Sequence, residues 1–144
     1  MIRPISAADK AQWTPLFVAY GVFYETAFTP EIVDAVFAKL VSDSLELEGL
    51  VAETDDSLTG FVLYRRLYDS FTAGPGWHLD DLYVHPSARG TGTATALIEA
   101  VTARASAQGG GTVRWITAHD NLAAQSVYDK IAQRKTWVTY EKES

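Results

Sequence analysis

Three groups of residues have the types and the spacing to do chemistry. Asp80 and Asp81 are adjacent carboxylates inside the otherwise apolar segment PGWHLDDLYV. The glycine-containing stretch Arg89-Gly90-Thr91-Gly92-Thr93-Ala94 follows a few residues later, and Asn121 and Tyr128 lie further along the chain. Carboxylates accept protons, and a backbone without side chains lets an anion come close. These groups are therefore the candidates for a functional site.

The glycine stretch stands between a predicted strand that ends near Val84 and a predicted helix. In that helix apolar side chains recur at helical spacing: Ala94, Leu97, Ile98, Val101 and Ala105. The first turn of a helix has free N–H groups and the positive end of the helix dipole, so this junction predicts an anion site. A plain glycine-rich loop is the alternative. Two nucleotide motifs are excluded, because the stretch lacks both the Lys-Ser/Thr pair of a phosphate loop and the third glycine of a dinucleotide fingerprint.

The other two groups allow two interpretations each. Asp80 and Asp81 point to opposite faces if their strand is regular, so at most one of them faces a given site. The alternative is a pair of solvated carboxylates at a strand edge. Tyr128 keeps helical spacing with Ala124 and Ile131, which is also the pattern of an ordinary core tyrosine.

The order of predicted elements indicates a mixed α/β domain with helices on both faces of its sheet. A first strand at the amino terminus precedes two helices, whose starts are marked by Ser6 with Asp9 and by Thr29-Pro30. Strands over 50–66 flank a polar turn, and PGWHLDDLYV is a further strand. A helix, the strand TVRWITA, a helix ending near Ile131 and a closing strand TWVTYEK complete the chain. We expect one domain over residues 1–144.

Composition narrows the classes of partner. The net charge of −6 argues against a basic surface for nucleic acid and is compatible with a cationic ligand. The chain has no cysteine, which excludes disulfides, thiolate catalysis and cysteine-bound zinc, and its three histidines lack metal-ligand spacing. We predict a cytoplasmic protein with no metal and no membrane segment.

The ordered combination of DDLYVHPSA, the stretch from Arg89 to Ala94 and DNLAAQSVYDK resembles the GNAT superfamily of N-acetyltransferases. The stretch fits the pattern Arg/Gln-x-x-Gly-x-Gly/Ala of that superfamily. The resemblance covers most of the chain and implies a GNAT-like, mainly antiparallel central sheet. The carboxyl-terminal half looks most like the branch that acetylates histones and polyamines.

This resemblance implies acetyl-coenzyme A as the acetyl donor. Its pyrophosphate would bind backbone amides from Arg89 or Gly90 through Thr91, Gly92 and Thr93 to Ala94, with Arg89 shaping the loop. The backbone of Val84 would pair with the pantetheine arm, and the amide of Leu82 or Tyr83 would polarise the acetyl carbonyl. Asn121 would contact the donor or cap its helix.

The resemblance also implies the chemistry. Asp80 would accept the proton of the acceptor amine directly or through water, and Tyr128 would protonate the departing thiolate. Glu25 with Asp80 or Asp81 would hold a cationic acceptor, unless Glu25 is a solvated helix-end charge. The expected acceptor is a primary amine: a polyamine, another small amine including an amino acid or aminoglycoside, or a lysine side chain. We expect a homodimer, and the competing class is a non-catalytic acyl-coenzyme A-binding module.

Overall fold

The structure, a computed structural model, describes residues 1–144 as a five-stranded sheet with helices on both faces. Neighbouring strands are antiparallel, except for the last pair, which is parallel. The strands follow one another in sequence order across the sheet. The elements are β1 (Ile2–Pro4), α1 (Lys10–Phe23), α2 (Pro30–Leu40), β2 (Glu48–Thr54), β3 (Ser57–Asp69), β4 (Gly74–Val84), α3 (Thr93–Ala107), β5 (Val113–Arg114) and α4 (Leu122–Ile131). The predicted fold class is confirmed.

Apolar side chains alternate between the two faces of the central strands and so form a core of two layers. Val51, Phe61 and Leu63 pack against α1 and α2, whereas Leu50 and Val62 pack against α3. Side chains on a strand alternate between faces, so β2 and β3 supply both layers at once. The largest buried side chain of the first layer is Trp13, which stacks on Phe17 at 4.6 Å between ring centroids.

Local signals mark where the first two helices begin. The Asp9 carboxylate accepts a hydrogen bond of 2.8 Å from the Ser6 N–H, as in a capping box, and Thr29 Oγ1 accepts one of 3.2 Å from the Ile32 N–H. The helix α1 begins at Lys10 and contains Pro15. Its buried aromatic residues hold the first turn in place although the proline removes one hydrogen bond.

The structure corrects the sequence prediction in two places. The predicted strands stop at 66 and resume at Pro75, but most of the segment 68–76 between them is strand as well, because β3 and β4 extend to a tight hairpin between Asp69 and Gly74. Near the carboxyl end, TVRWITA forms only the two-residue strand β5, and TWVTYEK is no strand at all. Strand residues need a partner strand for their backbone hydrogen bonds, and no strand pairs with this segment. None of the helices has the length and apolar content needed to cross a membrane.

Candidate active site

The site begins where β4 and β5 separate. The two strands pair only through Trp77 with Val113 and His78 with Arg114. Beyond these pairs, β4 continues to Val84 with no strand on this side. The backbone of Leu82, Tyr83 and Val84, predicted to bind the acetyl donor, therefore lies along an edge open to an extended ligand. Leu82 and Val84 also contribute side chains to the layer under α3.

The glycine stretch forms an open cradle at the start of α3. Gly90 and Gly92 have positive φ angles of 77° and 83°, and a Cβ added to either would meet no atom within 4 Å. Gly92 is the N-cap of α3, so Thr93 and Ala94 stand in its first turn. The N–H groups of residues 90–95 donate to no backbone acceptor. Free donors, an open surface and the helix dipole together suit a pyrophosphate.

Arg89 supports this cradle from behind. Its backbone N–H donates to the Pro86 carbonyl, and its Nε donates to the Val84 carbonyl at 3.1 Å. Its guanidinium lies over the Tyr83 ring at 5.6 Å from the centroid. The amides available to an anion therefore begin at Gly90 rather than at Arg89, and Arg89 links the end of β4 to the loop.

A β-bulge decides how the two carboxylates point. Leu63 of β3 pairs with Asp81 while Tyr64 pairs with Leu79, so Asp80 is an extra residue in β4. The expectation that Asp80 and Asp81 face opposite sides held only for a regular strand, and it is wrong here. The bulge inserts one residue into the alternation, and both carboxylates line the same cavity.

That cavity brings the predicted catalytic residues together. It is narrow, with free volume of about 30 Å³, which is room for a water molecule. Tyr128 of α4 closes one side and packs edge-on against Trp115 with ring centroids 5.4 Å apart. The remaining walls come from the end of α1, from β4, from α3 and from the segment after β5: Tyr20, Tyr24, Leu79, Asp80, Asp81, Leu82, Ile98, Ile116 and Thr117.

Burial perturbs the titrating groups around this cavity. It raises the pKa of Asp81, an effect that a hydrogen bond from Tyr20 opposes and the nearby Asp80 charge reinforces. Burial also raises the pKa of Asp80, against the attraction of Arg65 and His78. The pKa of Tyr128 is raised by burial and by Tyr24, so its hydroxyl keeps its proton at neutral pH. Perturbed carboxylates beside a protonated phenol are typical of acid–base sites.

The other predicted residues have mixed positions. Asn121 caps α4, since its Oδ1 accepts from the Ala124 N–H at 3.2 Å. Its Nδ2 donates a hydrogen bond to Oγ1 of Thr117, which lines the cavity. Glu25 is exposed just beyond α1, with a φ of 57°, and does not line the cavity. Of the histidines, His85 caps the short turn before the cradle and His119 is exposed, but His78 lies 3.9 Å from Asp80.

A second cavity, of about 330 Å³, lies at the hairpin end of β3 and β4. It is larger than the narrow cavity, and its walls include neither Asp80 nor Tyr128. Its walls include Leu67, Phe71, His78 and Arg114. His78, which lies 3.9 Å from Asp80, is the wall residue of this larger cavity that is near the candidate acid–base groups.

Sequence reasoning missed Arg65. Its Nε lies 3.2 Å from Asp80 Oδ1, although the two residues are on different strands. Their proximity follows from the register of β3 and β4, which pairs Arg65 with His78, two residues before Asp80; the sequence pattern does not reveal this register. Tyr20 and Tyr24, from the end of α1, also line the cavity.

Comparisons with known proteins agree with this geometry. The acetyltransferase (GNAT) family matches residues 12–132, and the chain belongs to that family. Among its relatives, the D-amino-acid N-acetyltransferase HPA3 of Saccharomyces cerevisiae is 32% identical over 99% of this chain and 89% of its own. The L-ornithine N5-acetyltransferase NATA1 of Arabidopsis thaliana is 32% identical over 58% of this chain and 37% of its own. A crystal structure of a probable acetyltransferase superposes with a TM-score of 0.89 and 27% identity, covering 100% of this chain and 97% of that one.

The family membership settles the general activity. The chain is an acetyl-coenzyme A-dependent N-acetyltransferase, and a non-catalytic acyl-coenzyme A-binding module is not favoured. The open edge of β4 and the cradle at Gly90 and Gly92 fit such a donor, which supplies the thioester that is cleaved.

Proposed function

We propose that this protein transfers the acetyl group directly to the primary amine of a small molecule, with Asp80 as base and Tyr128 as acid. The supporting observation is the cavity that joins Asp80, Asp81 and Tyr128 beside the open edge of β4. The donor would lie along Leu82, Tyr83 and Val84, with its pyrophosphate on the amides from Gly90 to Ala94. Asn121 would act mainly as the cap that fixes α4 and with it Tyr128.

The proton balance follows from these positions. The acceptor amine bonds to the acetyl carbon as the thioester C–S bond breaks, and the amine gives up one proton. Asp80 takes that proton directly or through one water, for which the cavity has room. Tyr128 donates a proton to the departing thiolate. The backbone amide of Leu82 or Tyr83 would stabilise the negative charge that develops on the acetyl oxygen.

We propose an amine of amino-acid size as the acceptor, ahead of a polyamine or a lysine side chain in a protein. The names of HPA3 and NATA1 both specify amino acids, which supports this order. Asp81 and Asp80 would attract the cationic ammonium form, which releases one proton to solvent before the neutral amine attacks. The exposed position of Glu25 supports a role in attracting a cationic acceptor from solution rather than in holding it.

The test is thiol release from acetyl-coenzyme A with a panel of amines. The panel contains D- and L-amino acids, ornithine, spermidine, a lysine peptide and an aminoglycoside. We expect turnover with amino acids and its loss in Asp80→Asn. Efficient turnover with spermidine or the peptide alone would contradict the proposed acceptor class. Binding of acetyl-coenzyme A without any turnover would instead support a non-catalytic acyl-coenzyme A-binding module.

We further propose a homodimer. The segment after α4 exposes three large apolar side chains, Trp137, Val138 and Tyr140, with exposed fractions of 84%, 74% and 90%. Exposed apolar groups in a row mark an interaction surface, and a second copy of the chain would cover them. Light scattering of the wild type should give twice the monomer mass, and Trp137→Ser should lower it; a monomeric wild type would contradict this proposal. A cytoplasmic location also stays a prediction, to be tested by cell fractionation.

A further inference from the structure

Asp80 has two carboxylate oxygens in different surroundings. Oδ1 lies 3.2 Å from Arg65 Nε and 3.9 Å from His78 Nε2. Oδ2 is buried and has no hydrogen-bond partner in the protein. A buried carboxylate oxygen without a partner favours the protonated acid, because a charge is costly to remove from water. Something must oppose that cost if Asp80 is to work as a base.

Arg65 is the strongest group that does so. The Asp80 side chain is 23% exposed and that of Arg65 is 48% exposed, so the pair is half shielded from water. Six titratable or charged groups face Asp80 or its cavity: Arg65 from β3, His78 and Asp81 from β4, Tyr20 and Tyr24 from the end of α1, and Tyr128 from α4. Arg65 alone among them is cationic over the whole working pH range, because its guanidinium does not lose its proton.

We propose that Arg65 is a positioning residue for acetyl transfer: it binds Asp80 Oδ1 and keeps the carboxylate in the charged form that can accept a proton. This inference rests on the proposed role of Asp80 as base. The register of β3 and β4 brings the carboxylate to Arg65: His78 lies opposite Arg65, and Asp80, two residues after His78, is on the same face of the sheet. The direction of the effect agrees with the local electrostatics, in which Arg65 lowers a pKa that burial raises.

The chain provides a matched control in Arg66. It is the next residue on β3, and its guanidinium lies over the Trp77 ring at 5.9 Å from the centroid. Trp77 belongs to the layer under α3, so Arg66 stands on the opposite face from Asp80. Arg66→Gln removes the same charge as Arg65→Gln, one residue further along β3. It does not remove a partner of Asp80.

The experiment measures the pKa of Asp80 and the rate in the same variants. The pKa comes from a ¹³C NMR titration of the carboxyl group in the free protein, assigned with Asp80→Asn, and needs no acceptor. The rate is kcat/KM against pH with the best amine of the panel. In Arg65→Gln we expect a higher pKa and an acid limb moved to higher pH, so that kcat/KM on that limb falls about 10-fold, the low end for losing a nearby opposite charge. Arg65→Lys should restore most of the rate, and Arg66→Gln should match the wild type.

Each outcome decides a different point. An unchanged Asp80 pKa in Arg65→Gln overturns the proposal, and so does an equal shift in Arg66→Gln. A changed pKa with an unchanged acid limb overturns the role of Arg65 in the reaction together with Asp80 as base, while the acetyltransferase activity itself stands. If Arg65→Gln does not fold, Arg65→Lys still tests the proposal, because it must keep the pH profile of the wild type.

Discussion

The cradle at the start of α3 can be tested with one pair of glycines. Gly92 and Gly110 both have positive φ, 83° and 74°, and a Cβ added to either would meet no atom within 4 Å. Gly92 lies in the cradle, whereas Gly110 lies in the loop after α3. The Gly110 carbonyl accepts from Trp77 Nε1 at 2.8 Å, a bond that alanine retains because it involves only the backbone. The two alanine variants therefore impose the same backbone strain at different places.

The magnitude of that strain follows from the left-handed conformation. An L-residue in this region costs about 1–2 kcal/mol of stability. With an unfolding entropy of about 2.1 cal/mol/K per residue, a chain of 144 residues loses roughly 3–7 °C in Tm. Because no atom stands in the way of either Cβ, no steric clash adds to this cost. Gly92→Ala and Gly110→Ala should show the same decrease in Tm.

Only Gly92→Ala should lose affinity for acetyl-coenzyme A. Its methyl group would occupy the open space beside the free amides and keep the pyrophosphate away from them. Loss of one hydrogen bond to a charged group is worth about 1.5–3 kcal/mol, which corresponds to a Kd raised roughly 10- to 150-fold. Isothermal titration calorimetry on the folded variants measures it. An unchanged Kd in Gly92→Ala, or an equal loss in Gly110→Ala, would refute the placement of the pyrophosphate.

Three further predictions concern the cavity. Tyr128→Phe keeps the ring and removes the hydroxyl, so kcat should fall on the order of 100-fold with unchanged donor affinity and Tm; full activity in this variant would leave solvent as the proton source. Asp80→Asn removes the base at nearly constant size, so kcat/KM should drop and its acid limb should disappear, and an unaltered pH profile would transfer the role to Asp81 or to water. Asp81 has a raised pKa in the folded protein, so its contribution to stability is present at acid pH and is lost as the pH rises through that pKa. Asp81→Asn, which cannot ionise, should therefore raise the free energy of unfolding in urea at pH 7 and change it little at about pH 3; an equal gain at both pH values would contradict this account.

Local patterns predicted most of the elements because their causes are local. The capping residues Ser6 and Thr29 determine where backbone N–H groups are satisfied, and they do so within a few residues of chain. The alternation of apolar side chains along β2 and β3 predicts strands without information on which strands lie beside them. The prediction of a closing strand over TWVTYEK is wrong because its cause is not local. The composition favours a strand, but a strand also needs an adjacent partner strand, and none is present.

The candidate site was predicted in part. The glycine cradle could be located from sequence because the loop and the helix that form it are contiguous, and its free amides follow from helix geometry. Arg65 could not be connected with Asp80, since that contact depends on which residue of β3 opposes which residue of β4. Glu25 was expected near the acceptor and lies outside the cavity, because the turn after α1 directs it to solvent.

The sequence by itself determined the family, the order of most elements and the position of the glycine loop before α3, because these depend on motifs and patterns of residues close together along the chain. The tertiary structure decided which side chains share the cavity. One extra residue in β4 brings Asp81 to the same face as Asp80, the register of β3 and β4 places Asp80 near Arg65, and α4 places Tyr128 in the same cavity. A bulge is a property of two paired strands, so neither strand read alone reveals it.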